Sequence, residues 1–411
     1  MILYRFPFTG LLRELLSIGL LELIKKSGIQ LIEKPGINEE VAETLINICE
    51  DFEKNLSGVG SSKIVLNDKN AYFNKTQRLV KWYGKTEEIP EDYLQLMFYT
   101  LRGTSKLLKK NKVNFIQSLQ NVSIGREIVL GNKYNNSLAI VPAVIKQAEF
   151  YEHQHEFLKP TAGREPEILL DPIWFTLMAI GFLKCFSGYY DKKYHFITKE
   201  GVESILDNPE LTRIISDAIS YVAEAHIRKK PLPYCEELYE LTLSHDIALG
   251  GKAISPLAYP LKLYEITLIG NAYTCINTML IDLTDSVSYL NEYINRLRSV
   301  GILENVQVKI REEVYESPIH ALLEIANREL KSTVEGDNAM LTLIFVKDLY
   351  RAIHVRRIEF VEETLLRLLR TAQAVLSTRS GISMLLREAL KAFINHRHVE
   401  ILLSIGSIIE A

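Results

Sequence analysis

At 411 residues, with 47% hydrophobic and 24% charged content and a formal net charge of −3, the chain has room for two or three domains with sizeable cores. Its longest apolar stretches are Pro172 to Leu183, bounded by Asp171 and Lys184, and Ile266 to Ile281, interrupted by Asn271, Thr274 and Asn277. Neither is long and apolar enough to span a bilayer, so no membrane contact is expected. Cys49, Cys185, Cys235 and Cys275 form no CxxC pair, which excludes a zinc ribbon or iron–sulfur ligand set and predicts buried free thiols; no cofactor is expected.

The N-terminus, MILYRFPFTGLLRELLSIGLLELIKK, repeats Leu12, Leu15, Leu16 and Leu20 at helical spacing. Arg5, Arg13, Glu14 and Glu22 would spoil the apolar region of a secretory signal, so a cytoplasmic location is expected. Period-2 or β-branched runs are short: residues 29–32, 63–66, 114–119, 127–130, 138–141, 194–198 and 306–310. They predict one small sheet in the N-terminal part. Residues 91–110 read as a helix with Leu94, Met97, Leu101 and Leu108 on its apolar stripe, and Gly103 marks a kink or end. After Ile310 four amphipathic segments follow, at 317–330, 338–354, 358–376 and 382–409, the last with a break near His396. Ile358, Val361, Leu365, Leu368 and Ala372 show the helical spacing. Short polar connectors favour an antiparallel bundle. The expected fold is mainly α, of the α+β class. An N-terminal mixed domain over 1–312, with a small β-sheet and many helices, precedes a C-terminal helical bundle over 313–411. No fixed-period repeat or low-complexity tract is evident.

Charge is unevenly distributed. Lys54 through Lys133 carries 14 basic and 6 acidic residues, and Lys347 through His398 carries 10 and 5, leaving −16 elsewhere. That asymmetry points to an anionic partner at defined surfaces, nucleic acid first. Lys63, Lys69, Lys75, Arg78, Lys81 and Lys85 are opposed only by Asp68 and interleaved with Tyr72, Phe73, Trp82 and Tyr83. Cations neutralise phosphates and aromatic faces stack on unpaired bases; the alternative is a solvated loop with its aromatics in the core. On the 91–110 helix, Arg102, Lys106, Lys109 and Lys110 share a face with no acid in that cluster. In the bundle, Lys347, Arg351 and His354 form a row followed by Arg356 and Arg357. With Arg370 and Arg379, these basic residues are candidate nucleic-acid or partner contacts. Arg367 is expected to pair with Glu363, four residues before it.

No catalytic constellation is visible: GxxxxGK[ST], HExxH, GxSxG and paired DxD are all missing, so no enzymatic activity is expected. Gly58 to Lys63 is either a backbone phosphate contact or an ordinary connector. His153, His155 and the pair His245–Asp246 leave open the alternative of a helical metal-dependent phosphohydrolase, although a metal site needs further ligands. A structural scaffold docking an acidic protein partner is a third reading.

The segment SIGREIVLGNKYNN at 123–136, the apolar helix LLDPIWFTLMAIGFL at 169–183 and the terminal bundle together resemble the large subunit of archaeal subtype I-A CRISPR surveillance complexes. The resemblance covers the general layout of the whole chain. It implies a non-enzymatic subunit near the 5′ handle of a crRNA, working with other subunits of the effector complex on target double-stranded DNA. Such a subunit inspects the flanking motif, helps open the duplex and recruits a separate helicase-nuclease, while base pairing reads the target. By analogy, Gly58 to Ser62 and the loop of Asn132, Lys133, Asn135 and Asn136, together with Arg126, are where contacts with guide or flanking duplex are expected. Two adjacent Asn residues are also a common turn, and that reading is preferred for them.

Overall fold

The computed structural model describes residues 6, 10–27, 37–56, 66–74, 78–84, 89–110, 114–124, 127–146, 167–190, 192–202, 208–229, 235–250, 258, 260–270, 272–299, 308–310, 313–330, 336–355, 358–377 and 383–406. The fold is mainly helical with small sheets, as the sequence predicts. It groups into two units, Met1–Glu224 with Leu261–Leu280, and Ala225–Pro260 with Ile281–Ala411. Among the described residues no helix is long and apolar enough to cross a membrane.

In the first unit the helices are α1 (Leu11–Ser27), α2 (Ile37–Leu56), α3 (Lys69–Phe73), α4 (Arg78–Tyr83), α5 (Tyr93–Lys109), α6 (Phe115–Gln120) and α7 (Pro172–Cys185). Helix α7 is apolar all round and forms the centre of the unit. It starts where Asp171 accepts hydrogen bonds from the backbone N–H groups of Ile173 and Trp174, at 2.9 and 3.0 Å, with Pro172 in the first turn. Helix α1 crosses α7 with the two backbones touching: a Cβ on Gly19 would lie 2.1 Å from the Leu177 carbonyl oxygen, and one on Gly181 would lie 1.9 Å from that of Leu15. Only glycine permits this approach. The acids that interrupt the apolar pattern of α1 are paired. Glu14 accepts from Tyr264 Oη at 2.8 Å and from Thr198, with Lys262 at 3.6 Å, and Glu22 meets Lys184 at 3.3 Å and Ser216 at 2.7 Å. Burial still pushes the Glu14 carboxyl up.

Two four-stranded sheets complete this unit. The first runs β1 (Val122–Ile124), β2 (Ile128–Leu130), β4 (Ile168–Leu170), β3 (Ala139–Ile140). Its centre is a parallel pair in the register Ile128 to Ile168, Val129 to Leu169 and Leu130 to Leu170. The second runs β5 (Phe186–Tyr190), β6 (Lys193–Thr198), β7 (Leu261–Ile269), β8 (Ala272–Ile281). The expectation of one small sheet is therefore corrected. The interrupted apolar stretch ending at Ile281 belongs to a long hairpin, with Gly270 at φ +62° in its turn. The run 114–119 is a helix instead of a strand, because Asn114 accepts from Gln117 N–H at 3.1 Å and caps α6. Runs 127–130, 138–141 and 194–198 hold β2, β3 and β6, whereas 29–32 and 63–65 lie outside the described residues.

In the second unit lie α9 (Glu236–Leu249), α10 (Thr284–Ser299), the two-stranded ladder of β9 (Val308–Ile310) and β10 (Glu313–Tyr315), and α11 (Pro318–Glu329), α12 (Gly336–Val355), α13 (Ile358–Ser377), α14 (Met384–Phe393) and α15 (His396–Gly406). Helix α8 (Pro209–Lys229) contains the boundary between the units. The four segments expected after Ile310 are helical, and the last breaks next to His396. Ser317 and Ser383 cap α11 and α14 through the N–H groups of His320 and Leu386, at 3.0 and 3.2 Å. This grouping does not coincide with a division at 312/313. Leu238 and Leu241 of α9 and Leu290 and Tyr293 of α10 share one buried cluster with Leu323, Leu349, Leu368 and Leu390, so the bundle includes helices from earlier in the chain. Cys49, Cys185 and Cys235 are free and buried, but Cys275 is only half-buried, contrary to expectation.

Candidate nucleic-acid interface

Helix α5 begins at Asp92, whose side chain accepts from Gln95 N–H at 2.8 Å, and runs unbroken to Lys109. Gly103 does not interrupt it. Its missing side chain makes room for the Tyr83 ring, which a Cβ would meet at 2.5 Å, and the Tyr83 hydroxyl bonds Thr104 at 2.8 Å. Burying Leu94, Met97, Leu101 and Leu108 turns Arg102, Lys106, Lys109 and Lys110 to solvent.

The acids missing from this segment arrive from α2. Glu53 accepts from Arg102 at 2.7 Å and Glu50 from Lys109 at 2.5 Å. The Lys109 ammonium holds the exposed Glu50 carboxyl below its ordinary range. Lys106 and Lys110 are exposed and make no ion pair among the described residues. Among the described residues the face thus carries two cations paired with α2 and two in no ion pair. Sequence separation of 49 residues for Arg102–Glu53 and 59 for Lys109–Glu50 hides these pairs from a local reading.

Two of the four aromatic residues, Tyr72 and Trp82, are core residues, while Phe73 and Tyr83 are half-buried. Trp82 is 3% exposed, donates Nε1–H to the Ser137 carbonyl at 3.2 Å and meets Phe175 edge-on. This corrects its reading as a base-stacking surface. Tyr72 is buried, donating to the Ile140 carbonyl at 3.1 Å and to Asp68 at 3.3 Å. Asp68 also accepts from Tyr93 and from Ala143 N–H, so the one acid in that basic segment is a half-buried acceptor engaged by fixed groups of the fold. Lys81 is exposed and Lys69 half-exposed, both without an ion pair among the described residues, while Arg78 lies 3.6 Å from Glu167. Lys63, Lys75, Lys85, Arg126 and the Gly58 to Ser62 loop lie outside the described residues.

Asn135 and Asn136 take φ of +49° and +54° between Tyr134 and Ser137, which exchange backbone hydrogen bonds of 3.1 and 2.9 Å. They form the two-residue turn that adjacent Asn residues favour. Asn135 Nδ2 donates to the Lys81 carbonyl at 2.8 Å, so its amide fastens the turn to α4. The exposed Lys133 and Lys81 are thereby carried on joined segments.

The two segments behind the family resemblance are physically one. Strand β2 pairs with β4, and Asp171 accepts from Asn132 N–H at 3.0 Å and from the Ser118 hydroxyl while capping α7. Gly131 stands at φ +89° with its Cβ position 2.0 Å from Asp171 Oδ2, so no other residue fits. Burial pushes the Asp171 carboxyl up to about 7, against the lowering effect of its three backbone donors. This is structural chemistry: every partner is a fixed group of the fold.

In the second unit Lys347 meets Glu237 at 3.7 Å, while Arg351 and Arg370 are exposed with no ion pair among the described residues. Arg356, Arg357 and Arg379 lie outside them. Arg367 pairs with Asp348 of α12 instead of Glu363. His354 completes a polar cluster with Glu240 at 3.0 Å and Asp285 at 3.7 Å. His245 is buried, bonds Ser317 Oγ at 3.0 Å and stacks on His320 at 5.0 Å. Among the described residues no group of three His, Cys, Asp or Glu is arranged to hold a metal ion; His153 and His155 are outside them.

A family model described as CRISPR-associated protein (Cas_Csx9) matches residues 29–403. No curated protein matches the chain.

Proposed function

Because the chain belongs to the Cas_Csx9 family of CRISPR-associated proteins and so has its role in CRISPR defence, we propose that it is a non-enzymatic large subunit of a crRNA-guided DNA-targeting complex. In that role it binds guide RNA and target DNA backbone, inspects the flanking motif and recruits a helicase-nuclease. The carrying observation is the α5 face, where Lys106 and Lys110 stand exposed one turn apart with no ion pair among the described residues. Like charges at this spacing cost a helix about 0.2–0.5 kcal/mol, a cost that an anionic partner removes. Lys81 and Lys133 extend the cationic character to the neighbouring joined segments. Trp82 has no part in base stacking in this reading, so contact is electrostatic and sequence reading is left to base pairing.

The test is the full chain carrying K106Q/K110Q, titrated with guide RNA and with target duplex across a salt series. Removing one lysine from a phosphate reduces the magnitude of the log-affinity against log-salt slope by about 0.9 on duplex or about 0.7 on a single strand. Removing both is expected to reduce it by about 1.8 and about 1.4, with preference for the flanking motif unchanged. A variant that melts like the wild type yet keeps its affinity and slope would reduce the α5 face to solvated helix surface.

A further inference from the structure

We infer that Glu50 and Glu53 are built-in competitors of the nucleic-acid backbone, setting how readily the α5 face accepts a polyanion. The inference rests on the reading of that face as a nucleic-acid interface. Both carboxylates project from α2 onto the cations that a phosphate would otherwise engage, Glu53 on Arg102 at 2.7 Å and Glu50 on Lys109 at 2.5 Å. A carboxylate offers the guanidinium and ammonium the same charge-assisted acceptors as a phosphate. The cations are well exposed, at 57% and 56%, and the Glu53 and Glu50 side chains reach solvent at 39% and 37%, so each pair is weak and open to exchange. The helices pack against each other, and Leu45, Ile48 and Cys49 of α2 and Leu101 and Leu108 of α5 are buried, so an apolar core is present apart from these charges.

The consequence is a difference between ligands. A polyanion touching only Lys106 and Lys110 meets cations that are in no ion pair among the described residues. One that also engages Arg102 and Lys109 must displace two carboxylates, and each freed carboxylate takes a cation back from solution. That uptake offsets the counterion released from the phosphate, so the paired positions add little to the salt dependence. Glu50 and Glu53 thereby weaken the binding of a polyanion that lies along the whole helix and leave contact confined to Lys106 and Lys110 unaffected.

The experiment compares the full chain with E50Q/E53Q, K106Q/K110Q and the charge-matched E200Q/E210Q, in which two other exposed acids of the first unit are neutralised. The probes are a labelled single-stranded DNA of unrelated sequence, long enough to lie along the whole of α5, and its duplex. E50Q/E53Q is expected to tighten binding about 2- to 30-fold, the range set by two exposed ion pairs. It should steepen the salt slope by about 1.4 on the single strand and about 1.8 on the duplex. E200Q/E210Q should change the slope far less. If E50Q/E53Q leaves affinity and slope unchanged, or matches E200Q/E210Q, while K106Q/K110Q loses binding, the interface stands and the competitor role falls. If neither E50Q/E53Q nor K106Q/K110Q alters binding, the interface itself falls. Loss of thermal stability in E50Q/E53Q without tighter binding would make the pairs structural and overturn the inference.

Discussion

Replacing Gly181 by alanine tests the central packing of the first unit. The added Cβ would lie 1.9 Å from the Leu15 carbonyl oxygen and 2.6 Å from its carbon, where ordinary contact begins at 3.4 Å. Helices α1 and α7 must therefore part by about 1.5 Å, because the obstacle is backbone and no side chain can swing aside. Overpacking in a core costs about 1–3 kcal/mol. The shift also loosens the packing of Leu15, Ile18, Leu177 and Met178, all essentially fully buried, so we expect a loss at the upper end, about 3 kcal/mol. For a unit of this size that corresponds to a Tm lower by about 6–12 °C. The assay is urea denaturation followed by tryptophan fluorescence, which is selective. The chain's two tryptophans, Trp82 and Trp174, are both buried in the first unit. Gly270→Ala is the control, with nothing within 4 Å of its Cβ and φ at +62°, for a left-handed cost of about 1–2 kcal/mol. If Gly181→Ala unfolds at the same urea concentration as the wild type, or no earlier than the control, close crossing of the two backbones is refuted.

His398 accepts from the Tyr293 hydroxyl or donates to it at 2.7 Å and meets the Phe393 carbonyl at 2.8 Å, and burial lowers its pKa from 6.5 to about 4. The unfolded chain then binds more protons between pH 4 and 6.5, so stability is full above pH 6.5 and falls as pH drops towards 4. His398→Gln should flatten that decline in melts followed by circular dichroism, and an unchanged pH profile would contradict the assignment. Trp82→Phe, which keeps the ring packing but loses the bond to Ser137, should cost about 1 kcal/mol and leave affinity for single-stranded DNA as it was; a selective loss of affinity in a stable variant would restore the stacking role. Purified protein with magnesium or manganese is expected to stay at background in nuclease and nucleotide-hydrolysis assays, and turnover abolished by His245→Ala would favour the hydrolase instead.

Features set by local periodicity were legible in the sequence. The helices at 318–329, 336–355 and 358–377 follow from their apolar spacing, and the break before His396 was visible within one long pattern. Capping chemistry was the signal that periodicity missed. Asn114 with Gln117 three residues later turns a β-like run into α6, and Gly270 between two β-branched runs marks the hairpin of β7 and β8. The cationic face of α5 was legible as a cluster, but its neutralisation was not, because Glu50 and Glu53 come from a different helix. Likewise the burial of Trp82 depends on Ser137 and Phe175, far along the chain. Charge composition reveals which ligands are plausible, whereas long-range packing decides which cations remain available.

The crossing of α1 on α7 also imposes an order in time. Helix α1 ends at Ser27 and its partner begins only at Pro172. At about 5–20 residues per second, synthesis of the intervening chain takes on the order of 10–30 s. Through that interval helix α1, destined to bury Leu11, Leu12, Leu15, Leu16, Leu20 and Leu23, has α2 beside it but lacks its main packing partner. Nascent chains stalled before Cys185 are therefore natural clients for a hydrophobic-binding chaperone. Truncations ending short of α7 should accumulate as aggregates even where their own helices form.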